Sequence, residues 1–159
     1  MKIEAFYISP GHDFYGRYGQ ERLNHGDDSP QSINCVAGKG IEGDRFFDYK
    51  ENFKGQATFF SVEVADALRE IVPDPYFENA AFRRNIFVRG VDLNTLIGKR
   101  FKIGSIEFEG TQEATPCEWM DSSVGPGARA FMEGKGGLRV RILSSGTLEV
   151  GELDLLILG

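Results

Sequence analysis

The sequence predicts a mostly β fold, a barrel or folded-over sheet with a few peripheral helices, in one domain covering residues 1–159. Short segments that alternate apolar and polar residues recur along the chain, and turn residues separate them at close intervals. Only one stretch has clear helical periodicity. The 20 glycines suit tight turns, and the 13 phenylalanines suit half-buried strands. A chain of 159 residues can bury one core, and no segment resembles a domain boundary.

The N-terminal half contains three predicted strands and the best helix. The strands span residues 1–9, 32–37 and 56–61. A long loop over residues 10–30, rich in Gly, Asp and Asn, separates the first two, and residues 44–54 are irregular. Ser61 then has the character of a helix N-cap, Glu63 lies in the first turn, and apolar residues follow at helical spacing up to Pro73.

The C-terminal half is predicted to be almost entirely β. Its strands span residues 84–89, a hairpin over 100–109, then 110–115, 138–143, 147–150 and 153–158. One helical turn is predicted over residues 93–97 and a short helix over 128–132. The order lacks the regular strand–helix alternation of a parallel α/β sheet, which favours a barrel.

Charge and hydropathy exclude several functional classes. The formal charge of −6 disfavours generic binding to nucleic acid or to an anionic membrane, although a local basic pocket for a small anion stays open. No apolar run approaches the length of a membrane span, and the N-terminus does not resemble a signal peptide. We therefore expect a cytoplasmic protein in which Cys35 and Cys117 do not form a disulfide.

The glycine-rich segment after the second strand allows three interpretations. Its glycines, Gly38, Gly40 and Gly43, fit the G-x-G-x-x-G spacing of dinucleotide-binding loops. A poor helix pattern follows, which disfavours that interpretation and favours a turn that needs positive φ. The third interpretation is a loop that presents Lys39, Asp44 and Arg45 to a ligand.

The two cysteines have different contexts. Cys35 lies in an alternating strand and is predicted to be a core residue. Cys117 follows a proline in the segment ATPCEWM. An isolated cysteine is most often a small buried hydrophobic residue, and the alternative is a nucleophile or sulfur carrier. That alternative needs cations near the thiolate. The candidates in the sequence are Arg84, Arg129, Lys135 and Arg139.

Two further sets of polar residues were weighed. Adjacent Arg83 and Arg84 at the mouth of a strand are expected to point to opposite faces, so that only one enters a given pocket. That one would form a guanidinium fork on a phosphate or carboxylate. His12 and His25 fit no zinc-binding spacing, and no Ser-His-Asp motif is evident.

Several segments in a fixed order resemble the MOSC domain, named for the C-terminal domain of molybdenum cofactor sulfurases. They are AGKGIEGDRFF, RRNIFVRGVDLNTLIGKRFKIG, TPCEWM, KGGLRVRIL and GTLEVGE, within residues 36–152. The resemblance implies a mostly β barrel with peripheral helices. It also implies that Cys117 carries sulfur as a persulfide or ligates molybdenum. The paired Arg84 and Asn85 and the glycine-loop acid Asp44 map to other positions of the family pattern, which implies that they contribute to the cofactor-binding site.

The sequence departs from the family pattern at two positions. Many relatives have a second cysteine where this chain has Thr115, which argues against a two-thiol mechanism here. Many also have arginine where this chain has Lys135, which keeps the charge but not the bidentate fork. The separate pyridoxal-phosphate domain of full-length sulfurases has no counterpart in 159 residues.

The resemblance leads to three functional hypotheses. The first is a sulfur carrier or transferase associated with the molybdenum cofactor (molybdopterin), receiving sulfur from, or passing it to, a partner such as a cysteine desulfurase or a molybdoenzyme. The second is a reductase of N-hydroxylated compounds that retains the cofactor. The third is a binding module without catalysis. In the first two, basic side chains would hold the anionic cofactor; the candidates are Arg84, Arg45, Lys39, Arg129 and Lys135.

Overall fold

The computed structural model of the chain describes residues 1–10 and 29–159. These residues form a mostly β fold, as predicted. Its strands are β1 (Lys2–Phe6), β2 (Ser32–Val36), β3 (Gly40–Ile41), β4 (Ala57–Ser61), β5 (Ile86–Arg89), β6 (Arg100–Ile103), β7 (Ile106–Glu113), β8 (Leu138–Ile142), β9 (Gly146–Glu149), β10 (Gly151–Glu152) and β11 (Leu155–Ile157). The helices are α1 (Val62–Arg69), α2 (Met120–Ser123) and α3 (Ala128–Met132), with 3-10 turns at Asn79–Phe82 and Leu93–Leu96.

The main sheet curls because its two edge strands are neighbours in sequence. It has eight strands in the order β10-β1-β5-β4-β8-β7-β6-β11, and a smaller sheet has the order β3-β2-β9. A flat sheet of that size would be about 34 Å wide at the usual strand spacing. The two residues between β10 and β11 span only about 10 Å. The edges must therefore approach each other, which produces the predicted barrel-like form.

Each face of the sheet carries its own hydrophobic core. Phe59 points into the barrel, where its ring lies 5.4 Å from Phe108 and 6.0 Å from Phe101. The next residue, Phe60, points to the other face and stacks on Phe82 with ring centroids 4.5 Å apart. This alternation explains the phenylalanine-rich composition, since both faces of the central strands are buried.

The α1 helix begins where the sequence predicts. The Val64 amide donates to the Ser61 hydroxyl at 3.4 Å, so Ser61 is the N-cap. The helix ends at Arg69, earlier than predicted, and the chain then makes turns that leave Ile71 exposed. Because α1 crosses between two neighbouring strands, β4 and β5 pair in parallel. No helix within the described ranges is long and apolar enough to cross a bilayer.

The main local difference from the prediction is in β7. Residues 106–113 form one strand, where the sequence analysis separates a hairpin arm from a second strand. A register shift between Gly110 and Gln112 interrupts the alternation that the prediction relied on. The short α2 and β3 were also missed, because elements of two to four residues have no detectable period. The predicted loop over residues 10–30 lies mostly outside the described residues.

Candidate functional site

Cys117 lies on an exposed loop between β7 and α2. Its side chain is exposed, which excludes the interpretation as a small buried hydrophobic residue. Its carbonyl oxygen accepts a hydrogen bond from the Met120 amide at 3.1 Å, which closes the turn into α2. A thiol in this position is open to reaction with a solute or with another protein.

Cys35 has the opposite environment. It is buried in β2, and burial raises the pKa of its thiol to about 12, because a thiolate would lack solvation there. The predicted core role is confirmed. Both cysteines are free thiols, so the expectation of no disulfide is also confirmed.

Arg84 binds the loop that carries Cys117. Its Nε donates to the Gly136 carbonyl at 2.9 Å, and one terminal nitrogen donates to the Phe82 carbonyl at 3.2 Å. The other terminal nitrogen donates to the carbonyls of Ala114 at 3.0 Å and Thr115 at 3.4 Å. Charged donors make strong hydrogen bonds to backbone carbonyls. One guanidinium therefore connects the entrance of β5 to the segment just before the cysteine.

Two adjacent glycines complete this support. A Cβ at Gly136 would lie 2.8 Å from Cδ of Pro116, the residue before the cysteine. Gly137 has a φ of +114°, and a Cβ there would lie 3.4 Å from the Nε of Arg84. The Gly-Gly pair is therefore required for close approach of the cysteine loop and of Arg84 to the start of β8.

A cleft of about 260 Å³ adjoins the cysteine loop. We call it the arginine cleft, because its lining includes four arginines, Arg45, Arg83, Arg84 and Arg139, and, among residues 1–10 and 29–159, no carboxylate. Phe46, Phe53 and Thr115 are among its other lining residues. In a chain with a formal charge of −6, this concentration of cations makes the cleft locally cationic, which suits an anion.

The position of Arg83 differs from the expectation that only one of the two adjacent arginines enters a given pocket. Both Arg83 and Arg84 line the arginine cleft, whereas adjacent strand residues were expected to point to opposite faces. Arg83 is not in the strand, because β5 begins at Ile86. It ends the 3-10 turn in a left-handed conformation with φ +58°, which removes the strand alternation at this point.

The electrostatics of the cleft link Arg84 to the cysteine. Desolvation lowers the pKa of Arg84 to about 10, the negative charge of Cys117 raises it, and Arg45 and Arg139 lower it further. Arg84 is thus a cation at neutral pH, close enough to Cys117 for a direct charge interaction. Desolvation also lowers the pKa of Arg139. The cleft holds cations that repel one another and are partly removed from water, so a bound anion would relieve both costs.

Asp44 organises the glycine loop and orients Arg45. Its buried carboxylate accepts hydrogen bonds from the backbone amides of Ser9 at 3.1 Å and Phe46 at 3.3 Å, and from Arg45 at 3.5 Å. The Arg45 guanidinium lies 4.8 Å from the centroid of the Phe46 ring. The predicted positive φ is confirmed, with values of +73° at Gly38, +130° at Gly40 and +87° at Gly43. The segment that follows forms turns, so the helix of a dinucleotide-binding unit is absent from residues 44–56.

Asn85 lies inside the sheet, where its amide is bonded to two strands. Its Oδ1 accepts from the Thr58 amide at 3.0 Å and from the Thr58 hydroxyl at 3.2 Å. Its Nδ2 donates to the Tyr7 carbonyl at 3.1 Å. The Arg-Asn pair therefore divides between the cleft, which Arg84 lines, and the sheet interior, where Asn85 joins β1, β4 and β5.

Three predicted cations lie outside the lining of the arginine cleft. Exposed Lys39 forms an ion pair with Asp48 at 3.7 Å. The Lys135 ammonium lies 4.0 Å above the Phe131 ring. Arg129 lies 3.8 Å from Glu118 and lines a separate pocket of about 340 Å³ with Thr115 and Pro116. Thr115, two residues before Cys117, lines both of these cavities, whereas Cys117 itself is in the lining of neither.

Arg139 is the cleft residue that the sequence analysis undervalued. It is named there only as a candidate cation near Cys117. In the structure it alternates with buried Leu138 and Val140 and lies on the opposite face of β8. The residues that this face contacts belong to segments distant in the chain, so a local pattern does not reveal them.

The residues present suit an anionic group that brings its own metal ligands. Within residues 1–10 and 29–159, no group of three or more His, Cys, Asp or Glu side chains could hold a metal ion. His12 and His25 lie outside these ranges. The site offers instead a cationic cleft and one exposed thiol. That donor set fits a phosphate-bearing cofactor with one position open to sulfur.

The fold and site define a curled β domain with an exposed cysteine beside an anion-binding cleft. The MOSC domain family matches residues 37–153, and the chain therefore belongs to that family, which is associated with molybdenum-cofactor-related proteins. No functionally curated protein matches the chain.

Solved structures agree on the fold. The YuaD protein from Bacillus subtilis is 18% identical with a TM-score of 0.76, and the alignment covers 98% of this chain and 94% of that one. YiiM from Escherichia coli is 16% identical with a TM-score of 0.65, covering 100% of this chain and 70% of that one. YiiM from Geobacillus stearothermophilus is 16% identical with a TM-score of 0.65, covering 99% and 75%. At these identities the likeness establishes the architecture.

Proposed function

We propose that this MOSC protein is a sulfur carrier or transferase associated with the molybdenum cofactor, with Cys117 as the carrying residue. One observation carries the proposal: the exposed thiol of Cys117 lies on the loop that Arg84 binds, two residues after Thr115, which lines the arginine cleft. A carrier needs an accessible thiolate and a neighbouring site for its anionic partner group. Membership of the family supports the same function.

The transfer step uses Cys117 as a nucleophile. Its thiolate attacks the terminal sulfur of a donor persulfide, R–S–SH. A new sulfur–sulfur bond forms at Cys117 while the bond within the donor breaks, and the donor leaves as the thiolate R–S⁻. The terminal sulfur keeps its proton, so charge and electrons balance without an added oxidant. Arg84 is the cation whose charge interacts with that of the attacking thiolate.

The arginine cleft would hold the phosphate of the molybdenum cofactor. Arg45, Arg83, Arg84 and Arg139 provide the positive charge, and Cys117 is a soft ligand within reach of the cleft's edge. When bound, the cofactor supplies a metal centre that accepts sulfur. The protein's own contribution is to bind the phosphate and to keep the loop in place.

Sulfur would come from a partner protein in this proposal. A cysteine desulfurase would load Cys117, and a molybdoenzyme or its cofactor would receive the sulfur. Because Cys117 is exposed on a turn between β7 and α2, a partner's persulfide can approach it without unfolding this domain.

Persulfide formation tests the proposal directly. The protein is treated with glutathione persulfide, and intact-protein mass spectrometry and peptide mapping locate the added sulfur. We expect one sulfur atom on Cys117, released by cyanide. Cys35→Ala serves as the matched control and keeps the modification, whereas Cys117→Ser loses it. If Cys117 stays unmodified although glutathione persulfide transfers its sulfur to free glutathione, the carrier function is refuted.

Metal analysis separates the carrier from the reductase alternative. Protein purified from its native host is analysed for molybdenum by mass spectrometry. A carrier releases its cofactor, so we expect less than stoichiometric metal together with cyanide-labile sulfur on Cys117. Stoichiometric retained molybdenum would favour the reductase that keeps the cofactor permanently.

A further inference from the structure

Among the four arginines of the cleft, Arg139 differs from Arg84 in what its guanidinium contacts. In the described part of the chain, the Arg139 guanidinium makes no hydrogen bond and no ion pair, and it lies 5.1 Å from the centroid of the Phe53 ring. Arg84, in contrast, uses four of its five N–H groups on backbone carbonyls. The two cations therefore have different capacities to bind a ligand.

Gly55 and Phe53 pack against the Arg139 guanidinium. A Cβ at Gly55 would lie 2.6 Å from Nε and 2.7 Å from a terminal nitrogen of Arg139, so this glycine allows the guanidinium to lie against the backbone. The Phe53 ring covers the group from another side. A guanidinium packed in this way loses little conformational freedom on binding, and its in-plane donors stay available.

The charge of the lining indicates the class of ligand. Within the described residues, Arg139 has no carboxylate partner and the donors of Arg84 meet neutral backbone carbonyls, so both leave positive charge in the cleft for an anion. A planar fork of N–H donors matches the oxygens of a phosphate group bidentately. Partial removal of Arg139 from water, without a partner, is a cost that such a ligand would repay.

We infer that Arg139 is the phosphate-binding residue of the arginine cleft, and that Arg84 is a positioning residue that holds the Cys117 loop. The ligand class is a phosphate or a phosphate monoester. This assignment rests on the proposed function for the relevance of the cleft, but its test does not depend on sulfur transfer. The assignment gives different roles to two of the four arginines: Arg139 binds the ligand, and Arg84 holds the loop.

Phosphate titration tests the binding role. Inorganic phosphate and phenyl phosphate are titrated into the isotope-labelled full chain, with the arginine Nε–H signals followed by NMR. We expect the Arg139 signal to shift and the Arg84 signal to stay, since the Arg84 Nε already donates to Gly136. Tighter binding of phenyl phosphate would identify an organic phosphate ester as the ligand, and equal binding would identify free phosphate.

Matched variants measure the contribution of each cation. Loss of a charged bidentate contact weakens binding by about tenfold or more, so Arg139→Gln is expected to raise the phosphate Kd by that factor. Arg139→Lys keeps the charge without the fork and should fall between. Arg141→Gln is the control, because Arg141 lies on the same face of β8 but binds Glu109 at 2.7 Å. Its Kd should change less than about twofold.

Arg84→Lys provides the complementary measurement. A lysine keeps the charge but cannot reach four carbonyls, so hydrogen exchange at the amides of Cys117 and Glu118 should accelerate while phosphate affinity stays within about threefold. The inference fails if Arg139→Gln leaves the Kd unchanged, or if Arg84→Lys abolishes phosphate binding without loosening the loop. Persulfide loading of Cys117 is measured separately, so failure of the carrier function would leave this assignment standing.

Discussion

Asn85 and Thr58 are joined in both directions within the main sheet. The Thr58 amide donates to Oδ1 of Asn85 at 3.0 Å, and the Asn85 amide donates to the Thr58 hydroxyl at 3.0 Å. This exchange lies at the entrance of β5, one residue after Arg84 enters the cleft. Asn85 is buried and Thr58 is half-buried, and their mutual hydrogen bonds join the backbone next to Arg84 to β4.

Removal of the Asn85 amide should destabilise the whole domain. Asn85→Ala leaves the Thr58 amide and the Tyr7 carbonyl without their side-chain partner, which costs about 2–4 kcal/mol. Urea denaturation measures the loss. Asn34→Ala is the control, because Asn34 is exposed and accepts one bond from Thr147, and it should change the unfolding free energy by less than about 0.5 kcal/mol. Equal effects of the two variants would contradict the structural role of Asn85.

Asp44 is expected to stabilise the fold through its hydrogen bonds to backbone amides. Asp44→Asn weakens the bonds from Ser9 and Phe46 and removes the charge opposite Arg45, with a cost of about 1–3 kcal/mol. Asp48→Asn is the matched control, because its exposed carboxylate only pairs with Lys39 at 3.7 Å. Thermal unfolding of both variants compares the two acids. A larger loss for Asp48→Asn would be inconsistent with this account.

Gly136 is predicted to be essential for the cysteine loop. Gly136→Ala would bring a Cβ to 2.8 Å from Pro116 Cδ and closer still to the Ala114 carbonyl, so the loop must move. We expect a stability loss of about 1–3 kcal/mol, as for other overpacking changes, and faster hydrogen exchange around Cys117. Gly134→Ala meets no atom within 4 Å and pays only for its φ of +78°, about 1 kcal/mol. If the two variants behave alike, the packing argument is wrong.

The two cysteines should differ in accessibility to alkylation. In the native protein, iodoacetamide is expected to modify Cys117 and to leave Cys35 intact, because Cys117 is exposed while Cys35 is buried with its pKa raised to about 12. In denaturant both should react. Peptide mapping after native labelling gives the answer, and early labelling of Cys35 would show that β2 is not packed as described.

Cys35 also makes stability depend on pH in the alkaline range. Its thiol has a pKa of about 12 in the folded state against 9.0 when unperturbed, so the unfolded state releases its proton first. The contribution is fully present below pH 9 and is lost as the pH rises from 9 toward 12, at about 1.4 kcal/mol per pH unit. The unfolding free energy of Cys35→Ala should lack this slope. Parallel curves for the two proteins in that window would refute the effect.

The local pattern was sufficient for most of the fold. Alternation located the strands, and the Ser61 N-cap located the start of α1 correctly. The local pattern gave the wrong end for two elements, β7 and α1. The β7 strand continues through the register shift at Gly110, and α1 stops before Pro73 because the following residues make turns. Both outcomes depend on pairing with distant segments, which a local window does not contain.

The sequence predicted the chemistry of the candidate site but not the full set of residues that line it. The segment around Cys117 and its resemblance to MOSC domains identified the cysteine, Arg84 and the glycine loop. The left-handed conformation of Arg83 and the packing of Arg139 against Gly55 had no signal in the sequence. Lys39 and Lys135 carry suitable charge but lie outside the lining of the arginine cleft.

The sequence alone determined that this chain is a mostly β domain of the MOSC type, with Cys117 at the Pro-Cys position of the family pattern. Periodicity, turn residues and ordered motifs are properties of neighbouring residues, and a linear pattern records them. The tertiary structure decided which cations line the cleft. It also decided that Arg84 donates its hydrogen bonds to backbone carbonyls. Arg45, Arg84 and Arg139 come from three separate segments. Only the folded chain brings them to one cleft, where the charges of Arg45 and Arg139 act on Arg84, and such interactions depend on distance.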